Sequence, residues 1–480
     1  MKQGIFLLIL TFLHGSLLAQ SIEWEQNYGG SNEEDLQSIQ QTSDGGFILG
    51  GRSQSADSDV GANNGNYDYW IAKTDALGNL QWEQNFGGSY NEDLCALQET
   101  SDGGFILGGR SQSNDGDVGG NKGNYDYWVV KTDALGNLQW EQNYGGNGED
   151  WLHSLQQTSD GGFILGGRSL SGGGDISSNN GNYDYWVVKI DNLGTIQWEQ
   201  NYGGTAWDEL YSVQETSDGG FILGGASNSS NIDVGGNNGG YDYWVIKTDV
   251  SGNVQWEKNY GGSVGDFLHS LQETSDGGFI LAGQSQSSNG DVGGNYGNWD
   301  YWIVKTDASG SIEWEKHFGG IKEEYLYSVQ QTTDNGFILG GCSLSYNFDV
   351  SGNNGIWDYW IVKTDSLGIL EWDRNYGGTN NDYLNIIKQT NDGGFILGGE
   401  SQSSDLDVGG NNGAYDFWVL KLSAVAPVCD SKPQVTAETG DVYIDNACHG
   451  VILTAPDGSC FRLRVQNDGS FSSESVVCPQ

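Results

Sequence analysis

One set of seven side chains in this sequence has the chemistry of a ligand-binding site. They occupy one equivalent position in seven copies of a repeat: Gln37, Cys95, His153, Tyr211, His269, Tyr327 and Asn385. Imidazole, phenol and amide groups make directed hydrogen bonds, which suit a hydroxyl-rich ligand such as a glycan. His153 and His269 lie two copies apart, so we do not expect them to share a metal ion. The alternative is that these side chains only order water.

A second variable position carries arginine in three consecutive copies. It reads Arg52, Arg110, Arg168, Ala226, Gln284, Cys342 and Glu400. Two roles fit the arginines: they pair with neighbouring aspartates, or they mark one side of the molecule for an anionic ligand. Additional tryptophans occur in single copies, and they would stack on sugar rings if they are exposed. They are Trp151, Trp207, Trp299 and Trp357.

Aspartate recurs once in every long loop, a pattern that suits calcium because this hard cation prefers carboxylate and carbonyl oxygens. The candidate ligands are Asp59, Asp115, Asp117, Asp175, Asp233, Asp291, Asp349 and Asp407. Residues 114–120 most resemble a calcium loop, but no EF-hand or RTX consensus is present. The alternative is that each aspartate caps a turn by accepting backbone hydrogen bonds. Identical recurrence favours capping, since every copy needs the same turns.

Motifs for enzymatic catalysis are scarce in the sequence. It has no His-Glu-x-x-His helix and no P-loop. Acidic pairs such as Glu149 and Asp150 could form a glycosidase dyad, which needs two carboxylates about 5–9.5 Å apart across a cleft. A protein this rich in acids offers many chance matches, so we expect a protein that is not an enzyme.

All of these positions follow from a repeat of 58 residues without insertions or deletions. Tryptophan marks it at Trp24, Trp82, Trp140, Trp198, Trp256, Trp314 and Trp372. Each copy holds four short runs rich in aromatic and β-branched residues, separated by Gly, Asn and Asp clusters, which predicts four strands. We expect these tryptophans, and a second series in the third strand, to pack between neighbouring copies.

The two ends of the repeat array predict its closure. Four strands in each of seven copies favour an all-β fold, a seven-bladed β-propeller. One strand at 22–28 precedes any complete copy, and the seventh copy stops after Lys421 without that strand. We therefore expect the N-terminal strand to complete the last blade and remove the free edges. The strand containing Leu36 is then innermost, and the first variable set surrounds the central channel. A solenoid is the alternative, but it needs capping ends.

The repeat also resembles a known family. The succession Tyr-Asp-Tyr-Trp-Val-Val-Lys-Thr-Asp-Ala-Leu-Gly-Asn-Leu-Gln-Trp at 125–140, the Tyr-Gly-Gly at 144–146 and the glycine-rich stretch at 160–167 resemble the bacterial β-propeller repeat called SBBP. The resemblance covers about residues 22–423, and it departs in the longer Asn/Gly-rich loop before Tyr-Asp-Tyr-Trp. It implies a propeller in an exported or cell-surface bacterial protein, and it carries no catalytic residues to transfer.

Charge and the N-terminus narrow the choice of partners and compartment. The net charge of −44 argues against nucleic-acid binding and against docking on anionic membranes. Residues 1–19 have the pattern of a secretory signal with cleavage near Ala19. The apolar run at 5–13 is too short to span a bilayer. We expect a secreted or cell-surface monomer with no membrane insertion.

The composition changes at residue 424, which separates a propeller at 20–423 from a C-terminal module at 424–480. Four of the six cysteines lie in this module, at Cys429, Cys448, Cys460 and Cys478. Four cysteines in a short exported segment suggest two disulfides, with three possible connectivities. With a hairpin signal at 456–459, they predict a small disulfide-stapled β module. Cys95 and Cys342 are expected to be single buried thiols.

These observations favour a non-enzymatic propeller that binds a glycan or a surface protein. A purely structural, calcium-stabilised surface protein is one alternative. A glycosidase-type hydrolase is the other. No cofactor other than calcium is expected.

Overall fold

The computed structural model describes residues 20–424 in full and the backbone of five short strands between 435 and 476. Within 20–424 the chain forms seven four-stranded antiparallel sheets, which succeed one another as blades. The predicted all-β, seven-bladed β-propeller is therefore confirmed. No helix among the described residues is long and apolar enough to cross a membrane.

Every blade uses the same four strands in the same order. The N-terminal strand is β1 (Ile22–Tyr28). The inner strands are β2 (Glu34–Gln41), β6 (Glu92–Glu99), β10 (Asp150–Gln157), β14 (Asp208–Glu215), β18 (Asp266–Glu273), β22 (Glu324–Gln331) and β26 (Asp382–Gln389). The second strands are β3 (Phe47–Ser53), β7 (Phe105–Ser111), β11 (Phe163–Ser169), β15 (Phe221–Ser227), β19 (Phe279–Ser285), β23 (Phe337–Ser343) and β27 (Phe395–Ser401). The third strands are β4 (Asp68–Thr74), β8 (Asp126–Thr132), β12 (Asp184–Ile190), β16 (Asp242–Thr248), β20 (Asp300–Thr306), β24 (Asp358–Thr364) and β28 (Asp416–Leu422). The outer strands are β5 (Leu80–Phe86), β9 (Leu138–Tyr144), β13 (Ile196–Tyr202), β17 (Val254–Tyr260), β21 (Ile312–Phe318) and β25 (Leu370–Tyr376).

The N-terminal strand closes the ring, as the unmatched ends of the repeat predict. Blade 7 has the order β26, β27, β28, β1. In this sheet Trp24 lies opposite Lys421 and Tyr28 lies opposite Phe417. The closure pairs the strand that would otherwise be a free edge.

The core lies in the interfaces between adjacent blades, which we call seams. Each third-strand tryptophan is fully buried, at Trp70, Trp128, Trp186, Trp244, Trp302, Trp360 and Trp418. The ring centroids of Tyr69 and Trp128 are 4.6 Å apart, and the Tyr69 hydroxyl donates to the Trp128 carbonyl oxygen at 3.0 Å. At the closing seam Phe417 meets Trp70, also at 4.6 Å. The third strands are buried along their whole length.

The tryptophans of the 58-residue repeat are only half-buried. They lie on outer strands, where Trp24 packs edge-on against Phe47 with ring centroids 5.7 Å apart. The prediction that both tryptophan series are core therefore holds fully for the third-strand series and partly for this one. The outermost strand of a blade has solvent beside it, so its large side chains cover the core from one side only.

The C-terminal segment contains β29 (Val435–Glu438), β30 (Asp441–Ile444), β31 (Val451–Thr454), β32 (Cys460–Val465) and β33 (Phe471–Val476). β31 and β32 pair as the predicted hairpin, with Val451 opposite Leu463. The predicted disulfides lie outside the described residues, since Cys429, Cys448 and Cys478 are not described and Cys460 is described by its backbone alone. Within the described part Cys342 is a buried free thiol and Cys95 a half-buried one.

Candidate functional site

The inner strands of all seven blades surround a central channel with a volume of about 860 Å³. This volume lies within the usual range for small-ligand pockets. All seven members of the first variable set line the channel, as the predicted strand order requires. The inner position of the Leu36-type strand is therefore confirmed.

A β-bulge turns these seven side chains into the channel. Leu36 pairs with Gly51 and Ser38 pairs with Gly50, so Gln37 has no partner on β3. The same register shift occurs in the other six blades, always at the variable position. A bulge leaves the extra residue outside the ladder and redirects its side chain. We call these seven residues the bulge ring.

Four members of the bulge ring form a continuous arc of aromatic and imidazole side chains across blades 3 to 6. The ring centroids of His153 and Tyr211 are 5.1 Å apart, those of Tyr211 and His269 are 4.8 Å apart, and those of His269 and Tyr327 are 5.3 Å apart. Such separations are typical of favourable aromatic contacts. The arc gives one side of the channel a wall of π-faces.

The two histidines of the arc are neutral and incompletely hydrogen-bonded. Burial lowers the pKa of His269 to about 4, and burial together with Arg168 and Arg110 lowers the pKa of His153 well below its ordinary value. Within the described part, the Nε2 atom of each imidazole is buried without a hydrogen-bond partner. A buried polar atom left unpaired costs free energy, and both nitrogens are shielded from solvent.

Three other polar members are held by hydrogen bonds to their neighbours. The Gln37 amide donates to Asp35 at 2.6 Å, and the Asn385 amide donates to the Leu36 carbonyl oxygen at 2.8 Å. The Tyr211 hydroxyl donates to Glu209 at 2.5 Å. These bonds orient side chains that could otherwise rotate freely in the channel.

Deeper along the inner strands a second ring consists almost entirely of glutamine. Its members are Gln40, Gln98, Gln156, Gln214, Gln272, Gln330 and Lys388. Each glutamine accepts a backbone N–H from the next blade, as Gln214 Oε1 does from Glu273 N at 2.8 Å. We call this the glutamine ring. Sequence reasoning missed it, although the exception at Lys388 is visible once the copies are aligned.

The channel lining differs in charge from the rest of the protein. The sequence has 64 acidic residues, yet no aspartate or glutamate lines the cavity, and Lys388 is its only charged residue. Burial lowers the pKa of Lys388 below its ordinary value. The channel is therefore a locally neutral to positive region inside an acidic protein.

The three candidate arginines make ion pairs within the protein. Arg52 bridges Asp35 at 3.3 Å and Asp93 at 2.7 Å. Arg110 also contacts Asp93 at 2.7 Å, and Arg168 pairs with Glu209. Of the two predicted roles, the structure shows pairing with neighbouring acids. Acidic side chains of the protein therefore compensate the charges of all three arginines.

Aromatic side chains form a belt beside these arginines. Trp151 lies between Arg110 and Arg168, with guanidinium carbons 3.6 Å and 3.9 Å from its ring centroid. Trp299 and Trp357 are half-buried in a chain of aromatic contacts, and Trp357 stacks on Tyr325 at 5.1 Å. Of the four additional tryptophans only Trp207 is largely exposed, at 40%.

The loop aspartates proposed as calcium ligands make hydrogen bonds between blades. Asp117 accepts from Gly87 N at 3.2 Å, and its own N–H donates to the Gly87 carbonyl oxygen at 3.0 Å. Asp115 accepts from Ser89 N at 2.8 Å, and Asn231 makes the equivalent bond with Thr205 N at 3.1 Å. Amide and carboxylate are therefore interchangeable here, so the bond needs an oxygen and no charge. In residues 20–424, no three acidic, histidine or cysteine side chains converge as a metal site.

Two other aspartate series, which also recur in every copy, make contacts that stabilise the fold. Asp44, in a tight turn, accepts from Gly46 N at 3.0 Å and pairs with the buried Lys73 at 3.0 Å. Asp126 at the start of β8 is fully buried near Asp150, and burial followed by that neighbouring charge raises its pKa to about 7. Every seam contains such a carboxyl pair.

The candidate dyad of Glu149 and Asp150 is divided between two environments. Asp150 is fully buried and accepts hydrogen bonds from Ser171 at 2.9 Å and Gly146 N at 2.8 Å. Glu149 is half-buried and accepts from the Tyr183 hydroxyl at 2.6 Å. Consecutive strand residues point to opposite faces, so these two carboxylates do not share a cleft.

Comparisons with known proteins give distant likenesses. No protein-family model matches the chain, and no curated protein matches its sequence. The WD40 domain of Pan2 from Neurospora crassa is similar with a TM-score of 0.46 and 12% identity, covering 81% of this chain and 89% of that chain. BamB from Moraxella catarrhalis has a TM-score of 0.38 and 12% identity, covering 83% and 99%. Puromycin hydrolase has a TM-score of 0.46 and 11% identity, covering 90% and 58%. These values carry no argument about function, and the fold assignment rests on the sheet topology.

Proposed function

We propose that this protein is an exported, non-enzymatic binding scaffold whose ligand is a glycan, presented free or on a surface protein. The observation that carries the proposal is the arc of His153, Tyr211, His269 and Tyr327 along the channel. Sugar rings offer an apolar face that packs on aromatic rings and hydroxyls that pair with imidazole, phenol and amide groups.

The surroundings of the arc support the same ligand class. The lining has no carboxylate that would repel an acidic sugar or recruit a cation. The exposed Trp207 and the aromatic belt add stacking surface near this end of the inner strands.

The non-enzymatic part of the proposal rests on the placement of the acids. The sequence-derived dyad is split across a strand, and Asp150 is occupied by hydrogen bonds inside a seam. The export part rests on the signal pattern at 1–19, which lies outside the described residues.

A glycan array tests the ligand class. We expect binding by the wild-type protein and loss of at least 10-fold in affinity in the double variant Tyr211→Ala/Tyr327→Ala, since each phenol supplies both a stacking face and a hydroxyl. The matched control is Tyr90→Ala/Tyr346→Ala, because both tyrosines are exposed and lie outside the channel lining. Unchanged binding in the channel variant would contradict the proposal, as would the absence of binding by the wild type.

A further inference from the structure

Six glutamines of the glutamine ring have a fixed amide orientation. Their Oε1 atoms accept backbone N–H groups from the next blade at 2.7–2.8 Å. Only the oxygen of an amide can accept, so the NH₂ group must point away from that bond. None of these NH₂ groups donates to a protein atom in the described part, and the six side chains line the channel. The ring therefore offers hydrogen-bond donors to whatever occupies the channel.

Lys388 stands in this ring where a seventh glutamine would complete the pattern. A lysine cannot accept, so the Gln41 N–H, which the repeat places on the same free edge as the Glu273 N–H, has no side-chain acceptor at position 388 of blade 7. The Lys388 ammonium and the Gln41 N–H are thus two donors on one side of the channel. Within residues 20–424 no carboxylate forms an ion pair with Lys388. Its positive charge is uncompensated by the protein.

The cavity lining also extends further along the strands beside Lys388. Positions one and three residues after the glutamine ring line the channel only at the junction of blades 7 and 1, through Gln41, Gln389 and Asn391. The acids at this level are Glu99, Glu215 and Glu273, in blades 2, 4 and 5, and they bond to serines of the preceding blade. The residues beside Lys388 at that level are glutamines.

We propose that the channel holds an oxyanion, a carboxylate, phosphate or sulfate group, against Lys388, the Gln41 N–H and the amide groups of the glutamine ring. An ammonium in a partly desolvated site is a strong hydrogen-bond donor to an anion. The ring supplies further donors, and no acidic side chain lines the cavity. This site lies apart from the aromatic arc and does not depend on glycan binding there.

The repeat supplies a clean test, since Lys388→Gln restores the residue of the other six copies. That variant is expected to fold, because its amide can accept the Gln41 N–H. The matched control is Lys258→Gln on the outer strand β17, where the equivalent residue is also glutamine in blades 1 to 3. Titration calorimetry on the full chain uses D-glucuronate against D-glucose, and sodium phosphate against sodium chloride at equal ionic strength.

We expect the wild type to bind glucuronate or phosphate more tightly than its neutral or chloride counterpart. Lys388→Gln should weaken that binding by about 10-fold or more, as expected for a lost charged hydrogen bond, while Lys258→Gln leaves it unchanged. Preference for glucuronate identifies a carboxylate ligand, and preference for phosphate identifies a tetrahedral anion. Equal binding by wild type and Lys388→Gln, or no binding of either anion by the wild type, would overturn the proposal. Neither result would bear on glycan binding at Tyr211 and Tyr327.

Discussion

The seams between the blades and the channel that they enclose come from one repeat, yet they handle charge in opposite ways. Each seam buries a pair of carboxyl groups, such as Asp126 and Asp150, and each blade buries a lysine paired with a turn aspartate of the same blade. The channel lining contains no acid and a single lysine. A protein with a net charge of −44 thus encloses a cavity that is not negative.

The difference shows what the repeat constrains. A seam residue contacts the same neighbours in every copy, so its identity recurs. A bulge-ring residue has no strand partner and faces the cavity, so seven copies carry five residue types there. The glutamine ring lies between these cases, because each glutamine faces the channel and also accepts a bond from the next blade. At its one exception, Lys388, the bond from the next blade is absent and the side chain carries a positive charge.

The largest expected effect concerns pH and the seams. Burial raises the pKa of five seam aspartates to about 7 and of two to about 6. A carboxyl whose pKa is higher in the folded state stabilises the fold fully below its unfolded pKa of about 4, and this contribution is lost as the pH rises to about 7. The histidines of the channel act oppositely, since their lowered pKa favours the fold above about pH 6.5, but they are two against seven.

We therefore expect the Tm to be higher at pH 5 than at pH 8, by on the order of 10 °C. Asp126→Asn should raise the Tm at pH 8 by about 2–4 °C and reduce the pH dependence, because an amide keeps the bond from Lys122 N and removes one buried charge. Scanning calorimetry at both pH values provides the measurement. A higher Tm at pH 8 would mean that the seam carboxyls are not the dominant titrating groups.

An effect of intermediate size on the free energy of unfolding distinguishes the glutamine ring from the bulge ring. Gln214→Ala should lower the free energy of unfolding by about 1–3 kcal/mol, because the Glu273 N–H loses its acceptor. Cys95→Ala in the bulge ring is the matched comparison and should change it by less than about 0.5 kcal/mol, since this side chain makes only a long sulfur contact to the Asp93 carbonyl at 3.8 Å. Urea unfolding of both variants gives the values. Equal losses would show that the rings are constrained alike.

The smallest expected effect concerns calcium and the long loops that contain the candidate aspartate ligands. We expect the Tm to change by less than about 1 °C between excess calcium and excess chelator, because the loop aspartates already accept N–H bonds and Asn231 replaces the carboxylate of Asp115. Thermal melts under the two conditions measure this. A rise of several degrees with calcium would restore the alternative of a calcium-stabilised structural protein.

Much of the fold could be predicted because the repeat is undisturbed. The strand at 22–28 and the stop after Lys421 predict the closure that the structure confirms. The channel location of the bulge ring followed from strand order. The bulge itself could not be predicted, since a register shift depends on pairing with β3, where a Cβ on Gly51 would lie 1.9 Å from the Asp35 carbonyl oxygen. The ion pairs of Arg52 with Asp93 and of Arg168 with Glu209 could not be predicted for a related reason, since each joins two neighbouring blades.

The sequence by itself determined the number of blades, the way that the ring closes and the positions at which the copies differ. These follow from local strand patterns and a fixed period, both of which are properties of the chain. Only the tertiary structure decided that the arginine charges are compensated, that Glu149 and Asp150 point to opposite faces, and that Lys388 is the one cation in a ring of glutamine amides around the channel. Those properties depend on which atoms adjacent blades bring within a few ångströms of one another, and separation along the chain does not contain that information.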